Sequence, residues 1–157
     1  MSSPPVVSNS SPLIAFQQIG RLELVHELVG PMIIPPAVSR EIAPSVSRPD
    51  WIEVRGLAQP VASIVLRVSL GAGESEAISL AIETKARLLL LDDLAARRLA
   101  LGLHLPIIGT LGLLLAAKRK GLLETVKPSL DQLMACEFRV SADLYERLLR
   151  DAGEAPA

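Results

Sequence analysis

The run RLLLLDD, residues 87–93, limits most strongly how this chain can fold. Four consecutive leucines indicate a buried strand, and the segment after the two aspartates, LAARRLALGL, has helical period. A carboxylate next to a buried strand is costly unless a cation or several hydrogen-bond donors neutralise it. Asp92 and Asp93 therefore raise the question of what partner this end of the strand provides.

Short apolar runs alternate with helical segments along most of the chain, which predicts an α/β fold with a central parallel sheet. Further strands are predicted in PPVVSN, ending at Asn9, in PMIIPP and in LPIIGT. Pro12 suits the first position of a helix with Ser11 as its cap. SRPDWIEVRGLAQP is predicted to be a loop with some extended structure.

Composition and length set further bounds on this chain. With 157 residues, half of them apolar, it is expected to form a single domain over 1–157, with C-terminal helices from about 127 to 151. One cysteine, Cys136, excludes an internal disulfide and suits a reducing cytoplasm. MSSPPVVSNSSP lacks the features of a signal peptide, and LHLPIIGTLGLLLAAK is too short and interrupted to cross a bilayer. A soluble protein is expected.

Polar side chains stand where the predicted strands end. In an open α/β sheet the functional crevice lies at the carboxyl ends of the strands. Acids near the first turns of two helices, in PPAVSREI and GAGESEAI, are expected at the same edge. The candidates are Asn9, Ser10, Glu41, Glu74, Glu76, Asp92, Asp93 and Thr110.

Each of these residues also has a structural interpretation. Glu74 could offset a helix dipole, Asp93 could be a plain N-cap, and Glu41 could belong to a surface ion pair. The functional interpretation depends on the set as a whole. Clustered carboxylates without histidine favour Mg²⁺ or Mn²⁺ over zinc, and such ions can activate water and stabilise the leaving oxygen of a phosphodiester.

Five segments in this order resemble the PIN-domain nucleases, and in particular a prokaryotic branch close to the VapC-type toxins. They are VVSNSSPLIAF, IIPPAVSREI, GAGESEAISLA, LLLLDDLAARRLA and LPIIGTLGLLLAAKRKG. The resemblance covers the chain from about Val6 to Phe138. It implies a central parallel sheet with helices on both faces, in three α/β/α layers. It also implies a Mg²⁺- or Mn²⁺-dependent ribonuclease whose metal is held by three or four acids.

The resemblance also assigns roles to individual residues. The metal ligands and catalytic residues that it implies are Asn9, Glu41, Glu76 and Asp92. Supporting positions fall on Ser10, Glu74, Asp93 and Thr110. Glu76 matches the third acidic position of the family best, and Glu74 is its close neighbour. Most of the family has aspartate where this chain has Asn9, which offers a carbonyl oxygen to a cation but no negative charge.

Partner surfaces are less evident in the sequence. A net charge of −1 means that any contact with nucleic acid must rest on local basic patches. The segments ARR and KRKG offer Arg97, Arg98, Lys118, Arg119 and Lys120 to RNA phosphates, although such clusters are more often solvated helix faces. Aromatic residues are too few for base stacking to dominate recognition. The resemblance implies a homodimer or larger homo-oligomer and a cognate antitoxin. No membrane partner is expected, because no segment is long and apolar enough to cross a bilayer.

Three alternatives to a ribonuclease toxin differ in what they require. A catalytically weakened PIN-fold module that only binds RNA or protein is favoured by Asn9. A phosphoacceptor receiver domain would place its acid pair after the first strand, where this chain has Asn9 and Ser10. An ATPase would need a G-x-x-x-x-G-K-[ST] loop, which the sequence lacks.

Overall fold

A computed structural model describes residues 3–154 of the chain. Within this range the chain forms one five-stranded, all-parallel sheet with strand order β3-β2-β1-β4-β5. The strands are β1 (Val6–Ser8), β2 (Met32–Ile34), β3 (Ile52–Val54), β4 (Leu88–Leu90) and β5 (Ile107–Ile108). The predicted parallel sheet is therefore confirmed.

Helices cover both faces of this sheet in a three-layer α/β/α arrangement, as predicted. The described residues form α1 (Ser10–Gln18), α2 (Leu22–Val29), α3 (Pro36–Ile42), α4 (Pro60–Leu66), α5 (Ala72–Thr84), α6 (Leu94–Gly102), α7 (Thr110–Arg119), α8 (Lys127–Ala135) and α9 (Ala142–Asp151). None of these helices is long and apolar enough to span a membrane.

The path of the chain creates a crevice between β1 and β4. From β1 the chain runs outward through β2 to β3, then returns to β4 on the other side of β1 and continues to β5. Where connections leave two neighbouring strands in opposite directions, a ligand can enter at the carboxyl ends of those strands. The backbone amide of Asn9 donates to the Leu90 carbonyl over 2.9 Å, which fixes the two strand ends side by side.

The leucine strand is buried as predicted. Leu89, Leu90 and Leu91 have no exposed surface, and α5 packs across both β1 and β4. Phe16 of α1 and Ile78 of α5 complete the same core. Because core side chains are packed closely, the strand ends that carry polar residues are held in a rigid frame.

The start of α1 differs from the prediction. β1 ends at Ser8, and α1 begins at Ser10 rather than at Pro12, with Asn9 rather than Ser11 in the capping position. Proline is tolerated anywhere in the first turn of a helix, because the amides there have no partner within the helix. Asn9 makes no capping hydrogen bond through its side chain, so its side-chain amide is left for other contacts.

The segment predicted to be mostly loop contains the edge strand β3. Ile52 is buried, whereas Glu53 and Val54 are exposed, as suits a strand with a partner on one side only. The two prolines of this segment, Pro49 and Pro60, lie outside the strand. The two C-terminal helices predicted between about 127 and 151 are α8 and α9.

Candidate active site

Two neighbouring clefts open at the carboxyl edge of the sheet. One, which we call the acidic cleft, has a volume of about 380 Å³; its polar lining is Asn9, Ser10, Ser11, Gln18, Glu41, Glu74, Cys136 and Glu137. The other, the arginine cleft, has about 420 Å³ and contains Asp92, Arg97 and Arg139. Phe138 lines both clefts. The sequence candidates Asn9, Ser10, Glu41 and Glu74 are thus brought together, with Asp92 in the adjoining cleft.

Asn9 holds a buried polar atom without a partner. The residue is 2% exposed, and its side-chain oxygen Oδ1 accepts no hydrogen bond from residues 3–154. A buried acceptor left in this state costs about 1–3 kcal/mol, so it calls for an explanation. A cation would supply the missing partner.

Glu41 reaches the acidic cleft from the last turn of α3, and not from a first turn as the sequence predicted, because α3 ends at Ile42. Its carboxylate accepts a hydrogen bond from the Ser10 hydroxyl, which follows Asn9 directly. Gly73, in the first turn of α5, makes room for this carboxylate, because a Cβ atom at that position would overlap Glu41 Oε1. Glu74, the next residue along α5, lines the same cleft and is half-buried.

Asp92 is held by hydrogen-bond donors on the neighbouring strand end. Its Oδ1 accepts from the Thr110 amide over 2.7 Å, and its Oδ2 accepts from the Thr110 hydroxyl over 2.6 Å. The Ser11 hydroxyl also donates to Oδ2 over 3.2 Å. Because Thr110 begins α7, the positive end of that helix adds to the neutralisation. Several donors therefore compensate the carboxylate at the end of the leucine strand.

Asp93 has the structural role that its position suggested. Its carboxylate accepts a hydrogen bond of 2.9 Å from the Ala96 amide and so caps the N-terminus of α6. The side chain is exposed, and it lines neither cleft. The supporting position expected for Asp93 is taken up by this cap.

Glu76 does not line the acidic cleft. It is 8% exposed; Oε1 accepts from the Ala37 amide over 2.9 Å, and Oε2 pairs with Arg67 Nη2 at 3.0 Å. Pro35, which flanks the start of α3, has no side chain that can cap that helix, and Glu76 does so from α5. Two residues correspond to about 200° around a helix, so Glu74 and Glu76 point to different neighbours.

The oxygen atoms that line the acidic cleft are of the kind that a hard divalent cation prefers, but they do not stand close enough together to share one ion. Within residues 3–154 no three carboxylate, imidazole or thiol groups stand close enough together to share one metal ion. Asn9 offers a buried oxygen without a donor, and Glu41 and Glu74 offer carboxylates on the same cleft. Nitrogen and thiolate ligands of the kind that zinc prefers do not accompany them, apart from the exposed Cys136.

The basic cluster near the end of α7 lies far from both clefts. Lys118 pairs with Glu154 at 2.9 Å, and Lys120 donates to the Leu28 carbonyl over 3.2 Å. α7 leads away from Thr110 for nine residues, which corresponds to roughly 13 Å to Arg119. These residues therefore do not border the clefts.

The basic residues on α6 are closer. Arg97 lines the arginine cleft and donates to the Leu91 carbonyl over 2.9 Å. Gly109 leaves room for this guanidinium and for Asp92, since a Cβ there would lie 2.7 Å from Arg97 Nη1 and 2.8 Å from Asp92 Oδ1. Arg98 is exposed on the same helix.

The sequence analysis missed the contribution of the segment between α8 and α9. Cys136, Glu137, Phe138 and Arg139 return to the carboxyl edge of the sheet and line the clefts. Glu137 has a φ angle of 67°, which favours glycine, so no sequence signal marks this turn. The return of the chain depends on how α8 packs against α7.

A larger cleft, of about 740 Å³, lies at the opposite end of the sheet near Trp51 and Arg87. It borders the amino ends of the strands, and its charged residues include the ion pair between Glu53 and Arg55. Because ligand sites of open α/β sheets lie at the carboxyl ends, the smaller pair of clefts is the better candidate for an active site.

Comparison with known protein families agrees with this fold. A family model described as a PIN domain matches residues 5–154, which is nearly the whole chain. No curated protein matches it. PIN domains are generally metal-dependent nucleases. The match includes every strand and every residue of the two clefts, and the chain therefore belongs to the PIN-domain family.

Proposed function

We propose that this protein is a Mg²⁺- or Mn²⁺-dependent endoribonuclease and the toxin component of a toxin-antitoxin pair. The observation that carries the proposal is the unpartnered Asn9 oxygen beside two carboxylates at the point where the sheet connections diverge. A buried acceptor without a donor lowers the stability of the fold, and a bound cation would offset that cost.

Asn9, Glu41 and Glu74 would hold the cation. We assign the third acid to Glu74 rather than Glu76, because both oxygens of Glu76 are engaged by Ala37 and Arg67. When bound, the ion supplies Lewis-acid chemistry for phosphodiester hydrolysis.

The remaining polar residues hold these groups in place. The Ser10 hydroxyl orients the Glu41 carboxylate, and the amide and hydroxyl of Thr110 orient Asp92. Asp92 is the fourth acid of the proposal. Its fixed carboxylate adds a third negative charge to those of Glu41 and Glu74, next to the cleft that would hold the ion.

A PIN-fold module that binds RNA or protein without cleaving it is the second candidate. Asn9 adds no negative charge, and within the described residues the carboxylates are too far apart to share an ion as they stand. Both observations favour weak metal binding.

The test is Mn²⁺-dependent cleavage of a pool of structured and single-stranded RNA by the wild type and Asp92→Asn, purified identically. Asp151→Asn, on the exposed end of α9, is the matched control. Cleavage by the wild type and the control but not by Asp92→Asn would establish the nuclease. No cleavage by any of the three, with the fold intact and antitoxin absent, would favour the binding module.

Asn9→Asp tests the assignment of the metal ligand. We expect the added charge to tighten Mn²⁺ binding measured by calorimetry. An unchanged affinity would remove residue 9 from the metal site.

The proposed partners are a second copy of the chain and a cognate antitoxin, in the reducing cytoplasm that suits the single exposed Cys136. An apolar surface beside α4 supports a protein interface, since Ile64, Val65 and Val68 are 59%, 65% and 89% exposed. Light scattering of the wild type and Val68→Asp would test self-association. An identical mass at all concentrations, equal to one chain, would contradict it.

A further inference from the structure

We propose that a single strand of RNA passes from the arginine cleft to the acidic cleft across Phe138. One phosphate would lie against Arg139 and Arg97, and the neighbouring base would stack on the Phe138 ring. The inference rests on the proposed function, because it names the path of the substrate through the same site.

Phe138 is the aromatic residue that the two clefts share. The ring is half-buried and packs against the hydrophobic core, so it is held in place while part of it stays exposed. The other described aromatic rings have different environments. Phe16 is buried, Trp51 stacks on His26 at the opposite end of the sheet, and the Tyr145 hydroxyl donates to Asp131.

Arg139 and Arg97 bring positive charge to the arginine cleft, where the Asp92 carboxylate approaches Arg97. Neither forms an ion pair with a carboxylate of residues 3–154. Asp92, which shares their cleft, is instead engaged by Thr110 and Ser11. Guanidinium groups bind phosphate in a bidentate manner, and these two stand next to the proposed site of hydrolysis.

A single strand fits this arrangement better than a duplex. The bases of a duplex are already stacked on one another, and the deep major groove of A-form RNA does not admit side chains to them. An unpaired base can leave its stack and lie on an exposed aromatic ring. The local pair of arginines would also account for RNA binding by a chain whose net charge is −1.

Binding can be measured separately from cleavage in the Asp92→Asn background. A fluorescein-labelled 12-nucleotide single-stranded RNA and the same RNA annealed to its complement would be titrated by anisotropy in the presence of Mn²⁺. Phe138→Leu keeps the apolar bulk and removes the aromatic face, and Arg139→Gln removes one charge. Arg119→Gln, at the far end of α7, is the control, and thermal melting checks that each variant is folded.

We expect Phe138→Leu to weaken single-strand binding about tenfold and to leave duplex binding unchanged. Arg139→Gln should weaken binding and lower the slope of log affinity against log salt by about 0.7. Wild-type affinity in both variants, or an equal loss in Arg119→Gln, would overturn the inference.

Cleavage by the otherwise wild-type chain separates this inference from the proposed function. If Phe138→Leu and Arg139→Gln cut single-stranded RNA with unchanged KM, the substrate path is wrong although the nuclease assignment holds. If the wild type does not cut RNA but Phe138→Leu and Arg139→Gln weaken RNA binding as expected, the nuclease assignment fails and the proposed path is supported.

Discussion

The acidic cleft and the junction around Glu154 both bring acidic side chains to helix ends, but they satisfy them differently. Glu154 accepts from the Val126 amide over 2.7 Å, from Lys118 Nζ over 2.9 Å and from the Lys127 amide over 3.2 Å. In the acidic cleft, Asn9 Oδ1 receives no hydrogen bond from the described residues. Glu41 receives one, from the Ser10 hydroxyl.

The pKa of Glu154 reflects this difference. Burial alone would raise the pKa of its carboxyl, but the hydrogen bonds from Val126, Lys118 and Lys127 and the charge of Lys118 outweigh burial and hold it below its usual range. Polar side chains of the same kinds thus have two different roles in this chain. At the junction they stabilise the fold, whereas in the cleft they stay available at some cost in stability.

Glu41→Gln should affect activity strongly and stability little, because Glu41 belongs to the acidic cleft. We expect RNA cleavage to fall by at least about 100-fold, as the loss of a metal ligand should cost no less than the loss of a group that only orients one. The melting temperature should stay the same or rise, because a negative charge leaves the acidic cleft. Cleavage rates and thermal melts measure both, with the exposed Glu124→Gln as control. A marked fall in melting temperature would show that Glu41 is a structural residue.

Glu154→Gln should have the opposite profile. Losing the charge that Val126, Lys118 and Lys127 share should lower the free energy of unfolding by about 1–3 kcal/mol. Cleavage per folded molecule should not change, because the junction lies at the far end of α7. Urea unfolding measures the first effect, and Glu146→Gln, exposed on α9, is the control. Loss of activity in the folded variant would connect the two regions.

The stability difference between the wild type and Glu154→Gln is expected to depend on pH. Because the pKa of Glu154 is lowered by folding, the unfolded chain binds the proton more tightly, and stability from this group falls with decreasing pH. It is complete above the unfolded pKa, near 4.5, and is lost as the pH falls through the lower pKa of the folded state. The stability difference between the wild type and Glu154→Gln should therefore shrink on acidification below about 4.5. A constant difference would contradict the assignment.

Glu76→Ala and Glu74→Ala remove two acids of the same helix that have different surroundings. Both changes alter the helix propensity of α5 equally, but Glu76 caps α3 and pairs with Arg67. We expect Glu76→Ala to cost about 1–2 kcal/mol of stability and Glu74→Ala to cost little. Calorimetry should show weaker Mn²⁺ binding only for Glu74→Ala. The reverse pattern would return the third acid to Glu76.

The smallest expected effect comes from Gly73→Ala. Alanine favours the helix by up to about 1 kcal/mol over glycine, but its Cβ would displace the Glu41 carboxylate. We expect cleavage to fall several-fold with little change in melting temperature. Gly102→Ala, where a Cβ meets nothing within 4 Å, is the control, and equal rates in both variants would mean that Gly73 does not position Glu41.

Much of the fold and part of the site follow from the sequence. Alternating apolar runs and helical segments were enough for the α/β class, and the position of Asp92 at the end of a buried strand was enough to predict compensating partners. Asn9 and Thr110 were identified by the rule that strand ends face one crevice. The start of α1 was misplaced, because proline permits several positions within a first turn.

The roles of Glu74 and Glu76 depend on tertiary structure. Helical period alone places Glu74 and Glu76 on different sides of α5, because two residues correspond to about 200° around a helix. Only the packing of α5 against α3 and α4 decided that Glu76 caps a helix and Glu74 meets the cleft. Likewise, no local pattern could bring Phe138 to the strand ends, because that contact joins residues far apart in the chain and depends on how α7, α8 and α9 pack together.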